Sequence, residues 1–159
     1  VIGIGEAGFH FASLVSGKFG VVTTLSRSVP AIEHNLLKYS LDRRCAGVRA
    51  SEVPVLDLEL PGSDACVKIS CEIGRSIRDD GAEAIVLGCA GMADLTHQLG
   101  EEHGVPVLDG VSCAVKLAES LVGLGLKTSR AGGYAPPRTK VYSGEFAKFS
   151  PKKGKSADF

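Results

Sequence analysis

The chain has 159 residues, with 18 basic and 18 acidic side chains and a formal net charge of zero. This balance excludes the basic patches that mark nucleic-acid-binding proteins, so we expect no nucleic-acid partner. The apolar runs are of strand length, too short to span a bilayer, so we expect no membrane contact either.

Apolar runs and helical patterns alternate along the chain. Runs rich in Val, Ile and Leu predict strands over residues 1–4, 19–24, 53–58, 84–87 and 105–109. Apolar spacing predicts helices over residues 6–14, 28–39, 64–79, 93–102 and 112–124. Strands that alternate with helices are typical of an α/β fold, and we predict a parallel sheet flanked by helices, of the flavodoxin or Rossmann type.

The composition changes after Leu126, where Gly, Pro, Lys and Ser become frequent. The segment 134–137, Tyr-Ala-Pro-Pro, predicts an extended arm that packs on the body of the protein or on a neighbour. The basic run 151–155 predicts a disordered, solvated tail.

Cysteine usage indicates a reducing, cytoplasmic location. The cysteines form no CxxC pair and are odd in number, so we expect neither a disulfide framework nor a zinc site. The four histidines show no metal-ligand spacing, and we expect no metal. No signal peptide is visible. Because the chain lacks an initiator Met and begins within a strand-like pattern, we expect it to be a piece of a longer protein. The cysteines are Cys45, Cys66, Cys71, Cys89 and Cys113.

Cys89 is the first candidate for a functional residue. It follows the apolar run 84–87 and precedes a helix-like segment, which places a thiol at the carboxyl end of a strand and beside a helix start. Open α/β sheets bind ligands at this edge, and a helix start favours the reactive thiolate. The alternative is a small residue that fills a tight turn.

Thr23 and Thr24 end another predicted strand and are expected at the same edge as Cys89. Their hydroxyls could donate hydrogen bonds to a carbonyl or carboxylate group. The alternative is ordinary strand packing, with Ser26 or Ser28 capping the next helix. We predict that Asp57 and Asp109, also at strand ends, cap the helices that follow them.

The remaining polar residues carry weaker signals. We interpret Arg27, Glu33, His34 and Asn35 as a solvated helix face, and the four cysteines other than Cys89 as structural residues. The spacing Gly3-x-Gly5 does not complete a dinucleotide-binding motif. His97 lies about two helical turns beyond Cys89, which is too far for an easy cysteine–histidine pair.

Several segments together resemble the hydantoin/allantoin racemase family, which belongs to the aspartate/glutamate racemase superfamily. The similarity extends from Val1 to about Tyr142, and the order and spacing of the segments carry it. They are residues 3–7 (GIGEA), 21–30 (VVTTLSRSVP), 53–57 (VPVLD), 86–92 (VLGCAGM), 123–129 (GLGLKTS) and 132–137 (GGYAPP).

This resemblance implies two pseudo-symmetric α/β domains with the active site between them and no cofactor. Two cysteines, one from each domain, face opposite sides of the substrate carbon; one removes a proton and the other returns one. Cys89 matches the second of these cysteines. The segments that hold the substrate match Thr23, Thr24, Gly88, Ala90 and Gly91.

The chain departs from the family pattern because the family's other cysteine lies upstream of Val1. The expected organisation is a second α/β domain over residues 1–110, a helix and arm over 111–142 that return to the first domain, and a flexible basic tail over 143–159. We expect little or no racemase activity from the chain alone, and assembly as a homo-oligomer.

The residues after Cys89 point to the substrate. Related amino-acid racemases carry a Thr there that holds the substrate carboxylate, whereas Ala90 and Gly91 leave room and offer no hydroxyl. This favours a small cyclic ureide, a 5-substituted hydantoin or allantoin, as the partner molecule. Two alternatives stay open: a single-cysteine enzyme that resembles arylmalonate decarboxylase, and a non-catalytic α/β binding or assembly module.

Overall fold

The computed structural model describes residues 1–60, 62–135 and 140–150. The chain divides into two compact units, Val1–Leu124 and Gly125–Phe159. Within the described ranges, no helix combines the length and the apolar character needed to cross a membrane.

The first unit is built on a four-stranded parallel sheet. Its strands are β1 (Phe19–Thr23), β2 (Cys45–Ala50), β3 (Ala84–Leu87) and β4 (Val107–Asp109), in the order β2-β1-β3-β4. Every residue of β1 and β3 is buried, as expected for central strands covered on both faces. The predicted parallel α/β fold is confirmed.

Among the described residues, five α-helices flank the sheet: α1 (Ile4–Val15), α2 (Val29–Lys38), α3 (Ala65–Asp80), α4 (Thr96–His103) and α5 (Gly110–Gly123). Alternate strand residues point to opposite faces. Val21 and Val86 therefore pack with Phe9 of α1 and Leu36 of α2 on one face. On the other face, a second core joins Val22, Ile85 and Leu87 to Ile69 and Ile73 of α3 and Leu99 of α4.

Helix α3 follows its sequence pattern closely. Ala65, Ile69 and Ile73 lie on its buried stripe, and the helix ends at Gly81, whose φ of 74° gives the left-handed C-cap. The predicted helix 6–14 is also confirmed and extends to Ile4–Val15. Short 3₁₀ turns connect the larger elements of the first unit at Ser26–Ser28, Asp42–Arg44, Val55–Glu59 and Ala90–Leu95.

The predicted strand 53–58 is wrong. Val55–Glu59 is a 3₁₀ turn, and the edge strand is instead Cys45–Ala50, which carried no apolar run. An edge strand is half-buried and accommodates polar residues such as Arg49, so hydropathy does not reveal it. Pro54 cannot donate a ladder hydrogen bond, and Leu56 is 79% exposed.

The predicted strand 1–4 is wrong as well. Val1–Gly3 has no regular structure, and the amide of Ala7 donates to the carbonyl oxygen of Gly3 at 2.9 Å, which opens helix α1. Short apolar runs do not distinguish strand from helix, because periodicity needs more residues to show.

Helix α5 packs on α1 within the first unit. The predicted domain boundaries at residues 110 and 142 stay a prediction. In the second unit, Gly132–Tyr134 and Gly144–Phe149 form 3₁₀ turns, and the Ser150 hydroxyl bonds both backbone groups of Tyr142. The predictions for Pro136, Pro137 and residues 151–159 lie outside the described residues.

Candidate active site

Cys89 lies where the chain leaves the sheet. The Gly88 amide donates to the carbonyl oxygen of Val22 at 2.8 Å, which is the last backbone bond between β3 and β1. Cys89 is extended (φ −139°, ψ 132°) and caps the 3₁₀ turn Ala90–Leu95, whose Met92 is fully buried. This anchored turn holds the half-buried Cys89 thiol at the carboxyl edge of the sheet, as predicted.

A cavity of about 170 Å³ opens at this edge, between the end of β3 and the starts of three helical elements. It is smaller than the roughly 300–1,000 Å³ that drug-sized ligands occupy, so its capacity suits a small molecule. Its lining consists of Ile4, Gly5, Phe9, Ile32, Asn35, Val86, Leu87, Gly88, Cys89, Ala90 and Gly110.

The chemistry of this lining is mostly apolar. Phe9, Val86 and Leu87 are buried and form its hydrophobic wall. Among the described lining residues, Cys89 is the only cysteine, Asn35 carries the only side-chain nitrogen or oxygen, and no side chain is charged. A carboxylate or ammonium group would therefore enter without a counter-charge, whereas a neutral polar ring avoids that desolvation cost.

Helix starts also meet at the cavity. Helix α1 begins at Ile4 and α5 at Gly110, and both residues line it. The first-turn amides of any helix lack partners within the helix. At α1 the N-cap residue is Gly3, which has no side chain to accept a hydrogen bond from them. Helix starts carry positive partial charge, which favours a developing anion nearby.

Close backbone approach makes Gly110 necessary at the start of α5. A Cβ at this position would overlap the carbonyl oxygen of Ile4. The preceding Asp109 accepts a hydrogen bond from the Ser112 amide at 2.7 Å, which confirms the predicted helix cap. Asp57 lies within the 3₁₀ turn Val55–Glu59 rather than at a strand end, so its predicted position is wrong.

The structure brings only part of the predicted site into the cavity. Gly88, Cys89 and Ala90 line it, whereas Thr23 and Thr24 do not belong to its lining. Both threonines are buried, and the Thr23 hydroxyl donates to the carbonyl oxygen of Gly88 at 3.5 Å. Thr23 thus contacts the backbone that carries the thiol, and substrate binding by either threonine stays a prediction.

Gly91 also lies outside the lining but beside the thiol. A Cβ at this position would be 3.8 Å from the Cys89 sulfur and 3.3 Å from Cδ1 of Leu58. The 3₁₀ turn Val55–Glu59 therefore packs over the turn that follows Cys89. Its apolar residues contribute to the surroundings of the thiol rather than to the sheet.

The other four cysteines lie outside this lining. Cys66 and Cys71 are on α3 and Cys113 is on α5, as predicted, whereas Cys45 begins β2. Burial raises the pKa of the Cys45 thiol to about 11, and burial also raises the pKa of Cys113. Both are protonated thiols at neutral pH. The described residues contain no cluster of three or more His, Cys, Asp or Glu side chains placed to hold a metal ion.

Sequence reasoning missed several residues of the cavity, among them Asn35, Phe9 and Gly110. Asn35 is exposed, as predicted for a solvated helix face, but it also lines the cavity, one turn after Ile32 and just before the buried Leu36. This border position on an amphipathic helix was the available signal. The spacing Gly3-x-Gly5 lies at the start of α1, but the sequence alone does not indicate that this helix start lines the cavity.

Comparison with known proteins gives consistent matches. A family model described as Asp/Glu/Hydantoin racemase matches residues 1–118. The hydantoin racemase of Rhizobium meliloti is 49% identical over 144 residues, which are 91% of this chain and 60% of the relative. The hydantoin racemase of Pseudomonas sp. (strain NS671) is 40% identical over 149 residues, which are 94% of this chain and 60% of the relative.

Two solved structures share the fold. The allantoin racemase from Klebsiella pneumoniae superposes with a TM-score of 0.85 at 47% identity, covering 96% of this chain and 62% of that one. The allantoin racemase from Pseudomonas fluorescens gives a TM-score of 0.83 at 48% identity, covering 89% and 60%. The chain thus spans about 60% of the length of the relatives that it matches.

Proposed function

Because the chain belongs to the Asp/Glu/hydantoin racemase family, we propose that it provides one acid–base thiol of a cofactor-independent racemase for hydantoin-type cyclic ureides. The substrate is a 5-substituted hydantoin or allantoin. The observation that carries this proposal is the position of Cys89, which lines a small cavity without a charged side chain among its described lining residues.

The chemistry of the ring suits a thiolate. The hydrogen on C5 is acidified by the neighbouring carbonyl group. The Cys89 thiolate takes this proton and becomes a thiol, while the electron pair of the C–H bond moves onto the carbonyl oxygen and forms an enolate. We assign the stabilisation of this negative charge to backbone amides at the helix starts around Gly5 and Gly110, which line the same cavity.

Inversion requires a second acid on the opposite face of the ring. The family resemblance assigns this role to another cysteine, whose thiol returns a proton to C5 and becomes the thiolate. The two sulfurs thereby exchange protonation states, and no redox change occurs. None of Cys45, Cys66, Cys71 and Cys113 lines the cavity, so we assign the opposing thiol to a part of the family fold outside these 159 residues.

The lack of charged side chains in the described lining also helps to judge the two alternatives, an enzyme that resembles arylmalonate decarboxylase and a non-catalytic module. An arylmalonate carries two carboxylates, and the described lining offers no cation to hold them. A non-catalytic module would need no cysteine in the cavity lining. Both points favour the ureide reaction.

The test follows exchange of the C5 hydrogen in D₂O by proton NMR. One thiolate removes the proton and returns a deuteron to the same face, so the 159-residue chain is sufficient for exchange without inversion. The probes are enantiopure 5-isopropylhydantoin and allantoin, each measured against a buffer blank. We compare the unmodified chain with Cys89→Ala and, as the matched control, with Cys71→Ala on the exposed side of α3.

We expect exchange above the blank for the unmodified chain and for Cys71→Ala, with retained configuration, and blank-level exchange for Cys89→Ala. Equal exchange by Cys89→Ala and the unmodified chain would contradict the proposal, and so would a complete lack of exchange by the unmodified chain. Rapid racemisation would contradict the assignment of only one acid–base thiol to this chain.

A further inference from the structure

We propose that the Asn35 carboxamide determines ring specificity by pairing with an N–H and C=O edge of the cyclic ureide, an inference that rests on the proposed function. Asn35 differs from every other described residue of the cavity lining because its side chain carries nitrogen and oxygen atoms. The remaining side chains there are aliphatic, aromatic, absent or, at Cys89, a thiol.

The local structure leaves this carboxamide available. The backbone carbonyl of Asn35 accepts the helical hydrogen bond from the Tyr39 amide at 3.0 Å, and this bond does not involve the carboxamide. In the described part of the chain, the carboxamide has no hydrogen-bond partner, and the residue is exposed at the cavity.

Its neighbours hold Asn35 at this place. Leu36 is buried in the core, which fixes the rotation of α2 about its axis. Ile32, one turn earlier, also lines the cavity, and its Cδ1 lies 3.3 Å from where a Cβ on Gly88 would be. Helix α2 therefore places Asn35 at the same cavity as Cys89.

The functional groups of Asn35 match those of the ring. A carboxamide has an acceptor oxygen and two N–H donors. A hydantoin ring presents an N–H beside a C=O, so the two amides can exchange a pair of hydrogen bonds. Both partners are neutral, which agrees with a lining that lacks charge, and a free amino acid has no such edge.

The experiment combines changes in the residue with changes in the ligand. C5 exchange in D₂O is measured for the unmodified chain, Asn35→Ala and Asn35→Asp, with 5-isopropylhydantoin and its N1-methyl and N3-methyl derivatives. Asn35→Asp keeps the shape and acceptor oxygens but removes the N–H donors and adds a charge. The matched control is His34→Ala, which changes the adjacent residue of α2, outside the cavity lining.

We expect Asn35→Ala to raise the half-saturating hydantoin concentration by roughly 3- to 10-fold, the loss of about one net hydrogen bond, with the maximal rate within about 2-fold. Methylation of the nitrogen that Asn35 contacts weakens binding to the unmodified chain by a similar factor, but has a smaller effect in Asn35→Ala. We expect Asn35→Asp to bind hydantoin no more tightly than Asn35→Ala does. His34→Ala should have the half-saturating concentration of the unmodified chain.

The inference is overturned if Asn35→Ala leaves the half-saturating concentration unchanged, or if its effect is the same for the parent and for both methylated rings. Either result leaves the Cys89-dependent exchange, and hence the proposed function, intact. If the unmodified chain catalyses no exchange, ligand-observed NMR binding of the same three hydantoins provides the comparison. Equal binding by the unmodified chain and Asn35→Ala, or no binding by either, then overturns the inference.

Discussion

Thr23 and Gly88 are in direct contact where the two central strands end. The Thr23 hydroxyl donates to the carbonyl oxygen of Gly88 at 3.5 Å, and a Cβ on Gly88 would lie 3.0 Å from the Cβ of Thr23. Gly88 immediately precedes Cys89, so this contact links the buried end of β1 to the direction in which the thiol leaves the sheet. A side chain at position 88 would therefore be crowded against Thr23.

We therefore expect Gly88→Ala to displace the turn that carries Cys89. Crowding against Thr23 lowers the free energy of unfolding by about 1–3 kcal/mol, the usual cost of overpacking, and lowers Cys89-dependent C5 exchange. Urea denaturation and the D₂O assay measure the two effects. Gly123→Ala at the end of α5, where a Cβ would meet nothing within 4 Å, is the control. Unchanged stability and exchange in Gly88→Ala would contradict the prediction that crowding against Thr23 displaces the turn that carries Cys89.

The central sheet was predictable because β1 and β3 are buried on both faces and read as apolar runs, as Val21, Val22, Ile85 and Val86 show. The edge strand β2 was not. It is half-buried and pairs its Arg49 with acidic residues of α3. Apolar residues of the run 53–58 pack over the turn after Cys89. Hydropathy alone does not distinguish this packing from that of a strand in the sheet.

The same distinction applies to the candidate site. Cys89, Gly88 and Ala90 are neighbours in sequence, and a strand followed by a helix-like segment places them at the sheet edge. Gly5, Asn35 and Gly110 come from three helices that meet only through packing. Periodicity shows that a helix has a buried face but not which cavity lies beside its border.

Ala90→Thr tests the space available to the ring. Ala90 lines the cavity beside Cys89, and a threonine would add a methyl and a hydroxyl group to a volume of about 170 Å³. We expect C5 exchange of both hydantoin and allantoin to fall roughly tenfold or more, because overpacking costs about 1–3 kcal/mol and 1.4 kcal/mol is a factor of ten. Ala90→Gly, which only removes a methyl group, is the control. Unchanged kinetics for Ala90→Thr would contradict the placement of the ring.

The Cys45 thiol makes stability depend on pH in the alkaline range. Burial raises its pKa from 9.0 to about 11, so the folded state retains a proton that the unfolded chain releases earlier. The stabilisation is complete below pH 9 and is lost as pH rises towards about 11. We expect urea-unfolding free energies of the unmodified chain to fall more steeply over this window than those of Cys45→Ala. Cys71→Ala, which alters an exposed thiol, should follow the unmodified chain; equal slopes for all three would contradict the assignment.

Arg49 stabilises the sheet edge through its contacts with α3. Its guanidinium donates two hydrogen bonds to Asp80, at 2.6 and 2.8 Å, and lies 3.5 Å from a carboxylate oxygen of Glu72. The Arg49 and Asp80 side chains are 26% and 22% exposed. We expect Arg49→Gln to lower the free energy of unfolding at pH 7 by about 1–3 kcal/mol, because it leaves a partly buried carboxylate without its cation. Lys68→Gln, which breaks the exposed pair with Asp64, should cost about 0–1 kcal/mol.

The pH dependence separates this ion pair from simple loss of packing. The hydrogen bonds from Arg49 lower the pKa of Asp80 below its usual 3.8, so the folded state holds this carboxylate charged after the unfolded chain has become protonated. The contribution is present above pH 3.8 and is lost as pH falls through the depressed pKa of Asp80. We expect the stability difference between the unmodified chain and Arg49→Gln to shrink on acidification, in urea-unfolding curves recorded from neutral pH to well below 3.8. A difference of constant size across that range would instead assign the effect of Arg49 to the packing of its aliphatic stem.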